Sequence, residues 1–363
     1  MFRIFGPPGT GKTTKLLDMV DRSLEAGVEP TNIAFLAFTR KAAEEARERA
    51  AARFNLDPKQ DLFFFKTLHS LALAMTDIRT DQVMQPEHYR ELGNAIGVSL
   101  QSEKAGRFSD LPEAQKSSDP ILGLINLAIL RKVPLREQYN ISRIDESWNV
   151  VKYVDEALTK YKKGFNLYDF TDMLRVFAET GDSCCPRFAV TFLDEAQDLS
   201  PLQWDIAHML DRQSERMYCA GDDDQAIYRW AGADVEHFIG LEGGSETLSQ
   251  SYRVPKLPWE VAQNIARRID RRFPKTYSPR EDKGFVTRLY MINELDLSEG
   301  SWLILAQAAY VLQDVSSDLK AMGLLFTFRG HRSVSERMSE AINGWEQLRK
   351  DNEVSGRAVK SIY

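Results

Sequence analysis

Short apolar runs alternate with amphipathic, charged stretches over the first 74 residues of the chain. The runs MFRIF (1–5), NIAFLAF (32–38) and FFFKT (63–67) are each followed by a polar turn and then by a stretch with helical character. Apolar runs of this length, bounded by turn signals, are typical of strands buried on both faces of a parallel sheet. The alternation therefore predicts an α/β fold with helices on both faces of the sheet.

The pattern changes near Met75, where polar, helix-forming segments broken by Pro and Ser predict a helical insertion. Two apolar runs, FAVTFL (188–193) and RMYCAG (216–221), then return to the strand pattern, and acidic residues follow each of them directly. The predicted organisation is the first part of an α/β domain at 1–74, the insertion at 75–164, the rest of that domain at 165–252 and a partial second α/β domain at 253–363.

The predicted second domain begins with a basic helix, VAQNIARRIDRRFPK (261–275). Strands are predicted at GFVTRLYM (284–291), SWLILA (301–306) and LLFTF (324–328), with a helix over 311–323. The basic cluster favours either a solvated helix face or a surface that follows a nucleic-acid backbone. Its members are Arg267, Arg268, Arg271, Arg272 and Lys275.

The net charge of −6 and the pI near 5.6 change this picture only in one respect. A nucleic-acid surface on such a chain must be a local basic groove on an acidic body.

Three cysteines, two of them adjacent, do not make a disulfide framework and favour a reducing compartment. Since no apolar run approaches the roughly 20 residues of a membrane span, we expect a soluble, cytoplasmic protein with no membrane partner.

The segment GPPGTGKT (6–13) fits G-x-x-x-x-G-K-[ST] between a predicted strand and a predicted helix. Its backbone N–H groups would converge on phosphate oxygens, with Lys12 neutralising the phosphates and Thr13 holding Mg²⁺. The alternative is a Gly/Pro turn with an exposed lysine, and the motif alone also suits AAA-type ATPases and small-molecule kinases. The predicted nucleotide-binding residues here are Gly6, Pro7, Pro8, Gly9, Thr10, Gly11, Lys12, Thr13 and Thr14.

Asp194 and Glu195 follow the apolar run VTFL, so they lie at the carboxyl edge of the sheet, where ligands of parallel sheets bind. If their strand neighbours the phosphate-loop strand, Asp194 holds Mg²⁺ and Glu195 acts as general base on the attacking water. The alternative is a solvated loop after a strand.

The second acidic strand end, GDDDQAIYRWAGAD (221–234), adds aromatic residues to the chemistry. Gln225 can sense a γ-phosphate or its attacking water through its amide. Tyr228 and Trp230 suit stacking on nucleic-acid bases. The alternative is that both pack at a domain interface, and for Tyr228 neither role is favoured.

Taken together and in order, seven motifs in this chain resemble those of the superfamily 1A DNA helicases, the UvrD/Rep-like group. The resemblance covers residues 1–255, and is weaker beyond them. The motifs are GPPGTGKT (6–13), AFTRKAAEEA (37–46), KTLHSLA (66–72), LYDFTDML (167–174), FLDEAQDLSPLQW (192–204), AGDDDQAIYRWAGAD (220–234) and LSQSYRVP (248–255).

The resemblance implies a P-loop NTPase (RecA-like) fold and further site residues. Gln197 and Gln225 would couple the state of the nucleotide to the DNA groove, and Tyr252 would stack on adenine. Arg253 would reach the γ-phosphate across a domain cleft, unless it merely caps a helix. The implied single-strand path consists of Phe38, Thr39, Thr67, His69, Tyr228 and Trp230.

We therefore expect an ATP- and Mg²⁺-dependent translocase on single-stranded DNA and duplex junctions, moving 3′ to 5′ as hydrolysis opens and closes a cleft. The upstream glutamine segment of the family is not found before the phosphate loop, which leaves base specificity open. The last two family motifs are not found either. The alternatives are a truncated or split subunit that needs a second polypeptide, and a P-loop kinase of a small substrate.

Overall fold

The computed structural model describes residues 1–101, 119–297, 299–308, 310–328, 330–350 and 352–354, with residues 356 and 359. The chain divides into two compact units, Met1–Phe285 and Val286–Tyr363. Within the described residues, no helix combines the length and the apolar character that crossing a membrane requires.

The first unit is built on a six-stranded parallel sheet with the order β3-β2-β4-β5-β1-β6. Every residue of β2 is buried, as expected for a central strand covered on both faces. The predicted strands in 1–74 and at 188–221 are confirmed. The strands are β1 (Phe2–Phe5), β2 (Ile33–Ala37), β3 (Phe65–Thr67), β4 (Phe188–Leu193), β5 (Ser214–Gly221) and β6 (Ser245–Thr247).

Helices cover both faces of this sheet, which confirms the predicted α/β class. Adjacent residues of β1 point to opposite cores: Ile4 packs with residues of α1 and α2, and Phe5 with residues of α3, α8, α9 and α10. The covering helices are α1 (Lys12–Glu25), α2 (Arg40–Phe54), α3 (Leu68–Met75), α8 (Phe170–Cys184), α9 (Pro201–Arg212) and α10 (Val235–Gly240).

The residues predicted as an insertion are helical and have a hydrophobic core of their own, which includes Leu122, Val151 and Leu158. A polar segment also predicted within the insertion, 109–118, lies outside the described residues. The helices of the insertion are α4 (Pro86–Ile96), α5 (Pro120–Arg131), α6 (Leu135–Ile141) and α7 (Trp148–Phe165).

The segment after β6 differs from its prediction in two ways. Helix α11 (Lys256–Ala266) ends before the basic cluster, so those residues do not share a helix face. The segment to Phe285 also belongs to the first compact unit, whereas we predicted a domain boundary at 252/253. Backbone pairing holds this segment to the first unit, because the N–H of Ser251 donates a 2.8 Å hydrogen bond to the Ser278 carbonyl beside the phosphate loop.

The second unit contains α12 (Val311–Ala321), the antiparallel pair β7 (Thr327–Phe328) and β8 (His331–Arg332), and α13 (Glu336–Arg349). The strands predicted at 284–291 and 301–306 are wrong, since neither segment is paired in a sheet within the described part of the chain. An apolar run becomes a parallel strand only when neighbouring strands and covering helices bury it. Here Leu303 and Leu305 are about four-fifths exposed, at 82% and 80%.

Candidate nucleotide site and nucleic-acid interface

All six parallel strands end at one edge of the sheet, and each predicted site residue follows one of these ends, except Thr67, which is itself the last residue of β3. The order of strands corrects one expectation: β4 does not neighbour β1, because β5 lies between them. The acidic residues after β4 nevertheless reach the phosphate loop, since Thr13 in the first turn of α1 bridges the gap.

The phosphate loop has the backbone that its glycines allow. Gly9 and Gly11 have φ of 72° and 80°, in the left-handed region that disfavours side chains. A Cβ on Gly6 would lie 1.8 Å from Cγ of Lys12, so the lysine can fold over the loop only because residue 6 is glycine. The turn is closed by Thr10, whose N–H and hydroxyl both donate to the Pro7 carbonyl, at 3.1 and 2.7 Å.

The loop and the carboxylates after β4 meet through two contacts. The Thr13 hydroxyl donates a 2.7 Å hydrogen bond to Asp194 Oδ2. Lys12 Nζ donates to the Gly6 carbonyl at 3.1 Å and lies 3.7 Å from Glu195 Oε2. The four side chains that carry the predicted phosphate and metal chemistry are therefore within reach of one another. Thr14, also predicted to bind nucleotide, is exposed on the next position of α1.

Burial shapes the electrostatics of this edge. Removal from solvent, reinforced by the nearby Glu195, raises the pKa of Asp194 to about 6. The same two causes raise the pKa of Asp198 to about 7, and Asp198 Oδ1 is a buried atom with no hydrogen-bond partner among the residues that the structure describes. A cation bound beside Asp194 would favour its charged form, so the site is suited to a positively charged ligand.

Gln197 connects the two acidic strand ends. Its Nε2 donates to Glu195 Oε2 and to Asp198 Oδ2, both at 3.0 Å, and its Oε1 accepts a 3.0 Å bond from the N–H of Asp222. Gln225 donates its amide hydrogen to Asp222 Oδ2. The residues Asp222–Gln225, here called the acidic turn, are thus joined to Glu195 through a single side chain.

The segment after β6 lies against the phosphate loop. Ser251 Oγ donates to the Pro8 carbonyl at 2.7 Å, and the N–H of Tyr252 donates to the Gly9 carbonyl at 2.8 Å. A Cβ on Gly9 would be 2.3 Å from Cβ of Arg253. We expected Arg253 to approach from a second domain, but it belongs to the same compact unit as the loop. The Tyr252 ring is 75% exposed, so it is open to stacking.

Three aromatic residues predicted to line a single-strand path, Phe38, Tyr228 and Trp230, follow β2 and β5 and are here called the aromatic surface. The rings of Phe38, after β2, and Tyr228, after β5, are 5.5 Å apart. Trp230 is 63% exposed. The turn that carries it is held by Arg131 of α5, which donates a 2.9 Å bond to the carbonyl of Arg229.

The other three predicted DNA contacts lie at helix starts. Thr39 Oγ1 accepts from the N–H of Ala42 and caps α2, while Thr67 caps α3 by accepting from Ser70. Thr67 is buried, at 9% exposure. The His69 ring lies edge-on to Phe170, with 6.3 Å between centroids.

Three of the five residues of the basic cluster form ion pairs instead of contributing to a free basic face. Lys275 and Arg272 contact the aspartates of the acidic turn, and Arg271 pairs with Glu236. These pairs were not predicted from the sequence, and neither was the contact of Ser251 with the phosphate loop. The one feature of the sequence that pointed to the ion pairs was the opposite charge of two segments about fifty residues apart. Opposite charge at that separation does not show that two segments lie together in the fold.

The residues present fit Mg²⁺ and a triphosphate. Mg²⁺ prefers oxygen ligands, and the Thr13 hydroxyl and Asp194 carboxylate lie side by side at 2.7 Å. The loop conformation at Gly9 and Gly11 turns backbone toward the space above α1, whose N-terminus adds a positive dipole end.

Comparisons with known proteins agree with this site. A family model described as UvrD/REP helicase N-terminal domain matches residues 2–243. The chain is 26% identical over 351 residues to a putative ATP-dependent DNA helicase YjcD of Bacillus subtilis, covering 92% of this chain and 45% of that protein. It is 26% identical over 313 residues to the ATP-dependent DNA helicase PcrA of the same organism, covering 81% and 41%.

A third relative is the ATP-dependent DNA helicase Rep of Buchnera aphidicola, 25% identical over 262 residues, with 66% of this chain and 38% of that protein covered. The chain thus spans less than half the length of these curated relatives. The family match covers well over half of the chain and includes the phosphate loop, both acidic strand ends and the aromatic surface. The chain belongs to the UvrD/REP helicase N-terminal domain family.

Proposed function

We propose that this chain binds Mg²⁺-ATP and hydrolyses it in response to single-stranded DNA, as the motor of a DNA helicase. The observation that carries the proposal is the junction of the phosphate loop with the carboxylates after β4. There Thr13 contacts Asp194 at 2.7 Å, and Lys12 lies 3.7 Å from Glu195. The relatives named above, which carry the words ATP-dependent DNA helicase in their names, support the same activity.

Each residue at the junction has a role in the proposed hydrolysis. The loop N–H groups and Lys12 bind the phosphate oxygens, and Thr13 with Asp194 would hold Mg²⁺, which offsets phosphate charge when bound. Glu195 accepts a proton from the water that attacks the γ-phosphorus, while the bond to the ADP oxygen breaks. Tyr252 stacks on the base, and Arg253 stabilises charge on the phosphates.

The DNA strand would lie over the aromatic surface of Phe38, Tyr228 and Trp230. Stacking on such side chains is sequence-tolerant, since every base has a π-face. Gln197 and Gln225 would communicate the state of the nucleotide to this surface, because both contact Asp222 at the start of the turn that carries the aromatics. A 3′ to 5′ direction and the closing of a cleft during turnover are parts of the proposal that rest on the family resemblance.

The experiment is ATP hydrolysis by the purified chain, with and without single-stranded DNA. The proposal expects turnover that DNA stimulates strongly. DNA binding without stimulated turnover would favour a binding module that needs a second polypeptide. Turnover that ignores DNA and responds to a small phosphate acceptor would favour a P-loop kinase and overturn both.

A further inference from the structure

Two cations from a segment far along the chain offset much of the negative charge of the three aspartates in the acidic turn. The Lys275 side chain is completely buried, and its Nζ lies 3.0, 2.5 and 2.9 Å from carboxylate oxygens of Asp222, Asp223 and Asp224. Arg272 adds two hydrogen bonds to Asp224, at 2.9 and 2.6 Å. Charge-assisted contacts of this kind are among the strongest in proteins and are geometrically specific.

Phe273, between the two cations, attaches the same segment to the sheet. Its ring stacks on that of Phe5 with centroids 3.8 Å apart and planes within 5° of parallel. Its N–H donates to Asp223 Oδ2 at 2.7 Å. Phe5 is the last residue of β1 and directly precedes the phosphate loop. Arg272, Phe273 and Lys275, here called the clasp, therefore join the acidic turn to the strand that leads into the loop.

A continuous set of contacts leads from the clasp to the proposed hydrolytic residues. Lys275 holds Asp222, whose N–H donates to Gln197 Oε1 at 3.0 Å. Gln197 donates to Glu195 Oε2 at 3.0 Å, and this oxygen faces Lys12 Nζ at 3.7 Å. A shift of the acidic turn would therefore move the hydrogen-bond partner that orients Glu195.

The charge balance of the turn depends on the lysine. Burial lowers the pKa of the Lys275 ammonium, but attraction by the three aspartates outweighs it and the pKa lies above its ordinary value. Without Lys275, three carboxylates would face a single cation, and removing one partner of a buried ion pair leaves an uncompensated charge. The carboxylates would stand next to the phosphate loop, since the N–H of Gly6 donates to the Gly221 carbonyl at 2.9 Å.

We propose that Lys275 is a positioning residue for ATP hydrolysis: through the clasp it fixes the acidic turn, and through Asp222 and Gln197 it fixes the carboxylate of Glu195. The inference rests on the proposed function. It assigns to Lys275 a role in the nucleotide site, in place of the contact with nucleic acid that the sequence suggested for the basic cluster.

The test compares Lys275→Met, which keeps an unbranched side chain only one atom shorter and removes the charge, with Lys275→Arg in the full chain. Arg271→Met is the matched control, because Arg271 lies in the same segment but pairs with the exposed Glu236. DNA-stimulated hydrolysis is measured over a range of ATP concentrations, which separates kcat from KM. Circular dichroism and thermal melting check the fold.

Lys275→Met is expected to lower kcat by about tenfold or more, the scale expected when a catalytic group is displaced. Lys275→Arg is expected to retain most of the wild-type kcat, and Arg271→Met all of it. A folded Lys275→Met variant with wild-type kcat would overturn the inference. If that variant does not fold, Arg272→Met decides: a smaller loss of kcat supports the clasp, and an unchanged kcat overturns it.

Separate measurements test the proposed function and the proposed role of Lys275. If the wild-type chain does not hydrolyse ATP with or without DNA, the proposed function fails. Binding of a fluorescent ADP analogue then tests the clasp, because uncompensated carboxylates repel phosphates. Weaker binding by Lys275→Met with unchanged binding by Arg271→Met supports the clasp, and equal binding by both overturns it.

Discussion

Two neighbouring carboxylates after β4 have different surroundings, and this separates their proposed roles. Asp194 is only 2% exposed and receives bonds from the Thr13 hydroxyl and the N–H of Glu195. Glu195 has a left-handed backbone, with φ of 54°, which turns it away from the direction of the strand. Its carboxylate is partly exposed and faces Lys12. The buried group suits a metal ion, and the accessible one suits a water molecule.

Glu195→Gln is expected to abolish hydrolysis while leaving nucleotide binding nearly unchanged. The amide keeps the size of the side chain but cannot accept the proton of the attacking water, a role worth about 10²–10⁴ in rate. Turnover and affinity for a fluorescent ADP analogue are measured on the same preparation. Glu246→Gln is the control, since Glu246 lies within β6 of the same sheet but pairs with Lys15. Unchanged turnover by Glu195→Gln would refute its role as the base.

Asp198 makes stability depend on pH. Its pKa is raised to about 7 by burial and by Glu195, from 3.8 in an unperturbed state. The folded state therefore binds more protons than the unfolded state between these values. Protonation of Asp198 therefore stabilises the folded state. This contribution to the free energy of unfolding is fully present below about pH 4 and is lost as the pH rises through 7.

Asp198→Asn cannot ionise, and its amide oxygen can still accept the hydrogen bond from Gln197. The variant is expected to be more stable than wild type at pH 8, on the order of 1 kcal/mol, and to lose this advantage toward pH 5. Urea unfolding at both pH values measures the difference. Asp182→Asn, at an exposed ion pair with Arg212, serves as control. A difference between Asp198→Asn and wild type that stays constant with pH would contradict the assignment.

The strands that are buried on both faces could be predicted from the sequence, because each consists of a short run of apolar residues. Strands β1, β2 and β4 each coincide with such a run, and the predicted site residues come directly after the end of the run. The clasp was not predictable in this way. Its partners are about fifty residues apart, and α11 ends at Ala266, so the helical spacing of the arginines carried no structural meaning.

The short element that carries Trp230 presents the most exposed ring of the aromatic surface. Trp230→Ala is expected to weaken binding of single-stranded DNA by about 1–3 kcal/mol, the increment for one stacked base. Fluorescence anisotropy with a labelled oligonucleotide measures it at one fixed salt concentration. Tyr153→Ala in α7 removes another exposed aromatic residue, 51% exposed against 63% for Trp230, that has no proposed role. The affinity of this variant is expected to match wild type. Equal affinities for all three proteins would remove Trp230 from the DNA path.

At the scale of the whole molecule, the sequence predicted the first unit far better than the second. In the first unit each apolar run has neighbours that bury it, so local pattern and global fold agree. In the second, the apolar runs at 284–291 and 301–306 lie largely at the surface. The sequence of a segment shows that it is apolar, but it does not show whether other strands are present to pair with it.

This difference leads to a prediction about the two units. The phosphate loop, both acidic strand ends, the clasp and the aromatic surface all lie in Met1–Phe285. A chain of residues 1–285 is therefore expected to fold and to bind a fluorescent ADP analogue with a Kd within about threefold of the full chain, a difference below about 1 kcal/mol. It should also be more soluble, because it lacks exposed apolar residues such as Leu303 and Leu305. Loss of folding or of nucleotide binding in this shorter chain would show that residues after Phe285 are needed to complete the site.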